Sequence, residues 1–364
     1  MRLFLFIYMV IDKKDFVCAV PFNSLELHDH KRFLCCASWL KKYLPEDSSP
    51  RDAWNSKEAN DIRDSILDGS YKYCDELHCP FLRQLKFMGN VGRVKPLYPK
   101  TDIPSTLQSQ IDKHIKGEDL TPTTIQFSFD RTCNLKCPSC RVKIFTASKK
   151  KIAEVEATIQ QIEDQYADTV ELLYITGSGD PFVSVGFRAF LRNFDKKKYP
   201  KLKKIHLHTN ATKWTPEMWA SMPNVHKYVK SCEISIDAAT KYTYENKTRI
   251  GGNWDTLISN LRFIATIPTI SYIKPSFVIQ AANYKEIPAF YNLMKEIFGK
   301  KANIFFGKIT NWGTFSDEEF KKQEIWNPEH PDHEDFLKII RETLPADQAW
   351  TNVQEFLLPQ NKLM

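Results

Sequence analysis

The chain has 364 residues, a formal net charge of +7, and 42% hydrophobic and 13% aromatic residues. This composition excludes a disordered protein and provides enough chain for two domains with a sizeable core. Its nine cysteines are an odd number at metal-ligand spacings, and no convincing signal peptide precedes them. We therefore expect a cytoplasmic protein with metal sites rather than disulfides.

The first ten residues are apolar. Ten residues are too few to span a bilayer, so we expect no membrane segment. No small-residue cleavage site follows, which disfavours a signal peptide. A buried edge strand, or a true start at Met9, is the favoured interpretation.

Residues 1–115 are rich in cysteine and do not alternate between strand and helix patterns. The run 54–70 predicts a short amphipathic helix, because Ser56 can cap its start and Gly69 can end it. A linker after this region is indicated by three prolines: Pro96, Pro99 and Pro104.

Residues 121–310 alternate between strand-like and helix-like segments. Strands are predicted at 123–129, 170–175, 204–208, 232–236, 277–279 and 304–306. Helices are predicted at 152–166, 187–194, 216–222, 254–265 and 287–298. This order predicts an α/β protein with a parallel sheet and right-handed crossovers, either open and doubly wound or a partial barrel.

Polar or glycine-rich segments follow each predicted strand. They are 133–140, 176–181, Thr209–Asn210, Asp237, Gln280 with Asn283, and 310–313. Both architectures bind ligands at the carboxyl ends of their strands, so we expect an active site there.

Cys133, Cys137 and Cys140 lie in the first of these segments, with C-x3-C-x2-C spacing. Three thiolates this close can hold three irons of a [4Fe-4S] cluster, whereas ordinary clusters take four cysteines. The fourth iron would keep an open position, as catalytic metals do. Taken alone, the spacing also fits half of a zinc site.

This triple-cysteine run at the end of the first of six strand–helix units resembles the radical S-adenosylmethionine (SAM) superfamily, over roughly residues 121–313. The resemblance implies a (β/α)6 partial TIM barrel over residues 116–315 that binds one [4Fe-4S] cluster and SAM. In that family the open iron chelates SAM. One electron, from a donor such as flavodoxin or ferredoxin, then produces a 5′-deoxyadenosyl radical that abstracts hydrogen from a substrate.

Ser178, Gly179 and Asp180 look like the family's Gly-Gly-Glu-Pro segment, which holds the SAM amino group. Glycine lets the backbone approach a ligand closely, and Asp180 can accept from an ammonium group. Asp for Glu and Ser for Gly are departures from the family pattern. The alternative for this segment is a plain turn.

Further SAM contacts are implied at other strand ends. Thr209, Asn210, Ser235 and Asp237 resemble the groups that contact the ribose and the methionine part. Arg249 matches an arginine that pairs with the SAM carboxylate through two parallel hydrogen bonds; the alternative is an ordinary surface arginine.

Trp312 and residues 278–283 look like the stretches near adenine. Simple packing is an equal alternative for Trp312. Ser139 stands where the superfamily usually has an aromatic residue, which puts that adenine contact in doubt.

The amino-terminal cysteines resemble the auxiliary-cluster domain called twitch or SPASM, here placed before the barrel. The resemblance implies a second [4Fe-4S] cluster on four ligands: Cys18, Cys35, Cys74 and Cys79. Cys36 is an alternative to Cys35, and zinc fits the same thiolates. We expect this domain over 1–115 and a helical appendage over 316–364.

The resemblance implies a radical SAM enzyme, maturase-like, with a peptide or protein substrate and no catalytic residue assigned. The alternatives are an epimerase or dehydrogenase of a sugar or other small molecule, and a non-enzymatic iron–sulfur or zinc protein. The basic run 196–204 has one tyrosine and no stacking pattern, so we expect a solvated loop rather than a nucleic-acid site. His206 and His208 alternate on the third strand, and His208 could face the cleft. With no metal partner apparent, a packed or hydrogen-bonded histidine is the favoured interpretation of both. Cys232 is expected to be an inert core thiol.

Overall fold

The computed structural model describes residues 12–76, 78–88, 96–344, 353, 356 and 357. The strand expected within the first ten residues lies outside the described residues. The chain forms two compact units. The first contains the described residues up to Phe129, with Gln160–Glu171 and Lys198–Lys201. The second contains Asp130–Ile159, Leu172–Lys197 and the described residues from Leu202 onward.

The first unit combines short strands with helices. Its strands are β1 (Phe16–Cys18), β2 (Ser24–His28), β3 (Lys31–Phe33), β4 (Leu97–Pro99) and β5 (Thr124–Ser128). Its helices are α1 (Val20–Asn23), α2 (Pro50–Trp54), α3 (Lys57–Leu67), α4 (Pro80–Met88) and α5 (Ser105–Ile115). β1 pairs antiparallel with β4, and β2 pairs antiparallel with β3 and parallel with β5.

Helix α3 begins and ends where the sequence predicts. The Ser56 hydroxyl accepts a hydrogen bond from the Ala59 amide at 3.2 Å and so caps the first turn. Gly69 ends the segment with φ of +79°, and a Cβ there would lie 2.9 Å from the Lys14 Cα. The end of the helix therefore requires glycine for both conformation and space.

The second unit is an α/β structure in which parallel strands lie side by side in chain order. The strands are β6 (Leu172–Ile175), β7 (Lys204–Thr209), β8 (Val229–Ser235), β9 (Tyr272–Ile279) and β10 (Phe305–Lys308). The helices are α7 (Val185–Arg192), α8 (Pro216–Ala220), α9 (Lys241–Thr243), α10 (Trp254–Thr266), α11 (Ile287–Phe298), α12 (Asp317–Lys321) and α13 (His333–Thr343). Helix α6 (Lys149–Tyr166) belongs to this unit up to Ile159.

The α/β class and the mostly parallel strand pairing are confirmed, and every predicted strand is present. The largest difference is β9, which begins at Tyr272 rather than at residue 277. Pro275 interrupts the residue pattern that predicts strands, so the sequence alone indicates only the last three residues of this strand.

The two faces of the parallel strands in the second unit differ in polarity. One face is fully buried and apolar, with Leu173, Ile205, Leu207 and Ile234 all at 0% exposure. The alternate positions carry polar side chains, since successive residues of a strand point to opposite faces. They include Tyr174, His206, His208, Glu233 and Lys274.

Several polar side chains on that second face form hydrogen bonds with one another. Glu233 accepts from Lys274 Nζ at 3.0 Å and from the Tyr174 hydroxyl at 3.3 Å. His206 Nδ1 lies 2.6 Å from the Ser231 hydroxyl, and its ring stacks on Tyr174 at 4.2 Å. The expectation that the two strand histidines are packed or hydrogen-bonded is therefore confirmed for His206. No helix in the described part of the chain is long and apolar enough to cross a bilayer.

Candidate functional site

A cavity of about 280 Å³ lies in the second unit at the carboxyl ends of its parallel strands. It brings together most of the residues predicted for the first cluster and SAM. They are Cys133, Cys137, Cys140, Ser178, Gly179, Thr209, Asn210, Ser235, Asp237, Arg249 and Trp312. Asp180 is not part of the cavity wall, and of the predicted adenine stretch 278–283 only Val278 is.

The cysteine loop of residues 131–145 is shaped by its own backbone. The Cys133 amide donates to the Phe145 carbonyl at 3.0 Å and closes the loop. The amides of Cys140 and Arg141 both donate to the Cys137 carbonyl, at 2.9 and 3.0 Å, so this part of the loop is a tight turn. Cys133 and Cys137 are buried, whereas Cys140 is exposed.

Burial keeps two of these thiols protonated. It raises the pKa of Cys133 to about 11 and also raises the pKa of Cys137. The metal ligand is the thiolate, so a metal or cluster that binds here must displace these protons.

Asp130 fixes the start of the cysteine loop. Its Oδ1 accepts from the Thr132 amide at 2.9 Å and from the Thr132 hydroxyl at 2.6 Å, and its Oδ2 accepts from the Ser184 hydroxyl at 2.6 Å. Asp130 is completely buried. The carboxyl group therefore holds Thr132 through two hydrogen bonds and attaches the loop to the start of α7 through a third.

Gly179 is required by a neighbouring segment of the protein. A Cβ at this position would lie 2.3 Å from the Asp130 carbonyl oxygen and 2.7 Å from the Thr132 carbonyl oxygen. The sequence attributes the glycine to the approach of a ligand. The structure provides a different reason, because the loop after β6 packs directly on the cysteine loop here.

Asp180 links the ends of two strands. It is fully buried, and its Oδ2 accepts from the Thr209 hydroxyl at 2.7 Å and from the Asn210 amide at 2.8 Å. Its Oδ1 accepts from the Phe182 amide at 3.0 Å. Burial raises the pKa of this carboxyl group. These bonds occupy the carboxyl group that the sequence assigns to the SAM amino group.

Asn210 connects the end of β7 to the cysteine loop. Its Nδ2 lies 3.1 Å from Asn134 Oδ1 and 3.6 Å from Cys133 Sγ. Its Oδ1 accepts from the Thr212 amide at 2.9 Å and from the Thr212 hydroxyl at 2.6 Å. The amide is thereby oriented with its NH2 group toward the sulfur of Cys133.

Arg249 contacts both a cysteine and a carboxylate. Its Nη2 lies 2.6 Å from Asp237 Oδ2, and its Nη1 donates to Cys137 Sγ at 3.5 Å. Burial acts to lower the pKa of Arg249, but the attraction of Asp237 and Cys137 outweighs it and raises the pKa. Its Nε is buried without a partner among the described residues. The interpretation as a plain surface arginine is wrong.

Asp237 is held in place by strand β9. Its Oδ1 accepts from the Val278 amide at 2.7 Å, and its backbone has φ of +60°. The side chain is 1% exposed. Asp237 and Arg249 thus form a buried ion pair on the cavity wall.

The cavity also contains three polar residues to which the sequence assigned no role: Arg141, His208 and Lys308. Arg141 donates to the carbonyls of Arg131 and Ser178 at 2.8 and 2.7 Å, and lies 3.5 Å from Cys140 Sγ. His208 Nε2 lies 3.0 Å from the Ser235 hydroxyl, and Lys308 lines the same wall. Arg141 directly follows Cys140 in the sequence, and this position was the only feature that could have indicated its place in the site.

Trp312 lines the cavity while 61% of its surface is exposed. A side chain packed in the core would be buried, so simple packing does not explain its position. Ser139, where an aromatic residue is usual in the family, also lines the cavity.

A second, smaller cavity lies within the first unit. Its walls contain the four predicted auxiliary ligands, Cys18, Cys35, Cys74 and Cys79. The remaining walls are almost entirely apolar and include Pro21, Trp39, Leu40, Ile66, Phe81, Leu82 and Leu97. Burial raises the pKa of Cys74 to about 12 and also raises the pKa of the other three thiols.

Cys36 differs from Cys35 in its surroundings. Cys35 is part of the wall of the small cavity, and Cys36 is not. The Cys36 sulfur instead lies 3.2 Å from the Ser38 hydroxyl. Of these two adjacent cysteines, only Cys35 therefore lies in the cavity wall with Cys18, Cys74 and Cys79.

The cysteines do not converge on single points. In the described part of the chain, no three His, Cys, Asp or Glu side chains are placed to bind one metal ion. A zinc ion needs its thiolates about 2.3 Å from one centre. In an iron–sulfur cluster, by contrast, each thiolate binds a different iron.

No protein-family model matches this chain, and no curated protein matches it either. Among solved structures, Streptococcus suis SuiB bound to the precursor peptide SuiA is 18% identical, with a TM-score of 0.39, over 65% of this chain and 57% of SuiB. The structure of anSMEcpe with bound AdoMet is 18% identical, with a TM-score of 0.44, over 60% of this chain and 58% of anSMEcpe.

TYW1 with a bound lysine–pyruvate adduct is 14% identical, with a TM-score of 0.34, over 60% of this chain and 73% of TYW1. The chain thus spans a little over half the length of SuiB and anSMEcpe. At these identities and TM-scores the similarities carry no argument about function, which must come from the site itself.

Proposed function

We propose that this protein is a radical SAM enzyme. The observation that carries the proposal is the cavity at the carboxyl ends of β6–β10, which places Cys133, Cys137 and Cys140 in the wall beside the polar strand ends. A simple electron carrier has no need for such a cavity. This supports catalysis over the non-enzymatic alternative.

The residues present fit a three-cysteine cluster with SAM. Three thiols are available, and the buried Arg249 Nε has no hydrogen-bond partner among the described residues. When bound, the cluster and SAM would supply the 5′-deoxyadenosyl radical that abstracts hydrogen from the substrate. Cys133, Cys137 and Cys140 would hold the cluster, and Arg249 is placed to receive the SAM carboxylate.

The other strand-end residues would orient SAM and limit the access of water. Ser235, Thr209 and Asn210 present hydroxyl and amide groups on the wall, while Trp312 provides an aromatic surface for adenine. Asp180 would act by holding the ends of β6 and β7 together, because its oxygens already accept three hydrogen bonds.

We further propose that the parallel strands of residues 116–315 close into a partial barrel, and that residues 1–115 form a twitch- or SPASM-like domain with a second [4Fe-4S] cluster. Cys18, Cys35, Cys74 and Cys79 would be its ligands. Their arrangement around one small apolar cavity supports a shared site for all four thiols. Residues 316–364 would be a helical appendage.

Anaerobic reconstitution with iron, sulfide, dithionite and SAM tests the enzyme class. We expect 5′-deoxyadenosine from the native protein and none from Cys137→Ala. Cys232→Ala is the matched control, because Cys232 is buried in β8 and lines neither cavity. A protein with full clusters that yields no 5′-deoxyadenosine would sink the proposal.

The second cluster is tested by metal content. We expect about eight irons per chain in the native protein and about four in Cys74→Ala/Cys79→Ala. One zinc in place of four irons would contradict the second-cluster proposal and remove its electron-transfer role.

The resemblance extends the proposal to a peptide or protein substrate, with a sugar or other small molecule as the alternative. To distinguish the two, an extract of cells grown in deuterated medium is separated into a peptide fraction and a small-molecule fraction, and each is added to the reconstituted protein with SAM. Hydrogen abstraction would transfer deuterium into 5′-deoxyadenosine only with the fraction that contains the substrate. Label from the peptide fraction supports the proposal, and label from the small-molecule fraction contradicts it.

A further inference from the structure

Each sulfur of the three-cysteine loop accepts a hydrogen bond from a side-chain nitrogen. The donors come from three different parts of the chain. They are Asn210 Nδ2 to Cys133 at 3.6 Å, Arg249 Nη1 to Cys137 at 3.5 Å, and Arg141 Nη2 to Cys140 at 3.5 Å. Every one of these sulfurs therefore lies beside an N–H group, and two of them lie beside a positive charge.

Arg141 differs from the other two donors, because the sequence assigns no SAM contact to it. Its side chain is buried, at 8% exposure. Its Nη1 donates to the Arg131 carbonyl at 2.8 Å, and its Nη2 also donates to the Ser178 carbonyl at 2.7 Å. These two bonds hold the guanidinium between the cysteine loop and the loop after β6, so its position beside Cys140 is fixed.

The charge of Arg141 is not balanced by an acidic side chain. Among the described residues, no carboxylate forms an ion pair with this guanidinium. A buried cation without a counter-charge destabilises the fold. The thiolate form of Cys140 would supply that counter-charge, and the thiolate is the form that binds a metal or cluster.

We propose that Arg141 is a positioning residue that raises the reduction potential of the cluster on Cys133, Cys137 and Cys140. It acts through the Cys140 sulfur. This inference rests on the proposed function, which places a [4Fe-4S] cluster on these thiolates. In the reduction step a one-electron carrier loses an electron and the cluster gains it, with no bond made or broken.

The direction of the effect follows from charge. Three thiolates give a [4Fe-4S] cluster a net negative charge, and reduction makes it more negative. The guanidinium stays protonated in proteins, and charges interact more strongly at a buried position than in water. Arg141 therefore stabilises the reduced cluster more than the oxidised one. Net charge and hydrogen bonds to the sulfurs are known to set the potentials of such clusters.

A purely mechanical role is the competing explanation, since Arg141 also holds the Arg131 and Ser178 carbonyls together. Two variants separate the explanations. Arg141→Gln removes the charge. Arg141→Lys keeps the charge but lacks the planar fork that reaches two carbonyls. If charge is what matters, only Arg141→Gln changes the potential.

The test is a redox titration of the Cys74→Ala/Cys79→Ala background, in which only the three-cysteine site is loaded. Protein reconstituted anaerobically with iron and sulfide is titrated without SAM, and electron paramagnetic resonance reports the reduced cluster. The matched control is Arg262→Gln, which removes one positive charge from an exposed side chain of α10 that pairs with Glu296 at 2.9 Å.

We expect Arg141→Gln to hold about ten times less reduced relative to oxidised cluster at a fixed potential, equivalent to a midpoint lowered by about 59 mV for one electron. Arg141→Lys and Arg262→Gln should keep the midpoint of the background protein. Iron should stay at about four per chain in all of them.

Three results would overturn the inference. The first is an unchanged midpoint in Arg141→Gln with full iron. The second is an equal shift in Arg141→Gln and Arg141→Lys, which would point to the lost carbonyl contacts. The third is loss of iron from either variant, which would make Arg141 a structural clamp. Failure of the loaded native protein to cleave SAM with dithionite would instead overturn the proposed function, and the titration does not depend on that cleavage.

Discussion

Asp180 shows how a single residue can match a motif and yet serve another role. Its two oxygens accept from Thr209, Asn210 and Phe182, and it is fully buried. In Asp180→Asn, an NH2 group would face one of these donors. We expect the free energy of unfolding to fall by about 3 kcal/mol, since a charged acceptor is lost and a buried donor is left unpaired.

Urea denaturation of the native protein and Asp180→Asn checks this expectation. Asp168→Asn, at an exposed carboxylate, is the control and should unfold like the native protein. If Asp180→Asn kept full stability and lost only SAM affinity, Asp180 would be a ligand contact after all.

Cys35 and Cys36 are adjacent in sequence but differ in their surroundings. Cys35 lines the small apolar cavity, whereas Cys36 lies against the Ser38 hydroxyl. We expect Cys35→Ala to lower the iron content of reconstituted protein from about eight to about four per chain, and Cys36→Ala to leave it unchanged. The reverse pattern would reassign the ligand.

At the level of loops and strands, the contact at Gly179 holds the site together. A methyl group there would meet two backbone carbonyl oxygens of residues 130–132, which cannot move without moving Cys133. We therefore expect Gly179→Ala to lose most iron from the three-cysteine site, measured by iron content and visible absorbance of the Cys74→Ala/Cys79→Ala background. Gly117→Ala is the control: its φ of +71° strains an alanine there, but a Cβ meets nothing within 4 Å, so we expect this variant to keep its iron. Normal iron in Gly179→Ala would show that the loops can separate.

The polar face of β6–β9 makes stability depend on pH. Burial lowers the pKa of His206 to about 3 from its ordinary 6.5, so unfolding takes up a proton between these values. A group with a lowered folded pKa stabilises the fold above its unfolded pKa, and this contribution is lost as the pH falls. Between pH 7 and pH 5 we expect His206 alone to cost about 2 kcal/mol.

Urea denaturation at both pH values checks this contribution. His206→Gln cannot take up the proton, so its loss of stability on acidification should be smaller than that of the native protein by this amount. His30→Gln, at a largely exposed histidine, should keep the native pH dependence. An unchanged pH dependence in His206→Gln would contradict the expected role of burial.

The elements were easier to predict than the contacts of individual side chains. Alternation of apolar residues predicts the strands because it reports directly on which face is buried. Strand ends then predict which residues meet, and the cavity contains Ser235 and Arg249 as expected. A motif cannot reveal that Asp180 is already occupied by Thr209, or that Arg141 reaches the Ser178 carbonyl, since those partners depend on folding.

At the scale of the whole molecule, the two cysteine sites differ in their exposure to solvent. Cys140 is exposed, whereas the four thiols of the first unit line a cavity with almost entirely apolar walls. Oxidation follows exposure. We therefore expect brief exposure to air to lower the iron content from about eight to about four per chain, with the three-cysteine site lost first.

The same treatment of Cys74→Ala/Cys79→Ala should remove nearly all of its iron, because only the exposed site is loaded in that variant. Iron content and electron paramagnetic resonance of the reduced protein follow the loss. Equal rates of loss from both sites would show that the apolar walls give no protection.

The ion pair of Arg249 with Asp237 has a consequence for how a ligand enters. An incoming carboxylate meets a guanidinium whose charge Asp237 already balances, so it adds a second anion to the same cation. The net gain from that contact is then small, and affinity has to come from the rest of the ligand. Because Asp237 pairs with Arg249, the unliganded protein does not leave this buried guanidinium unpaired, and an unpaired one would destabilise the fold. The site can therefore fold completely before any ligand arrives.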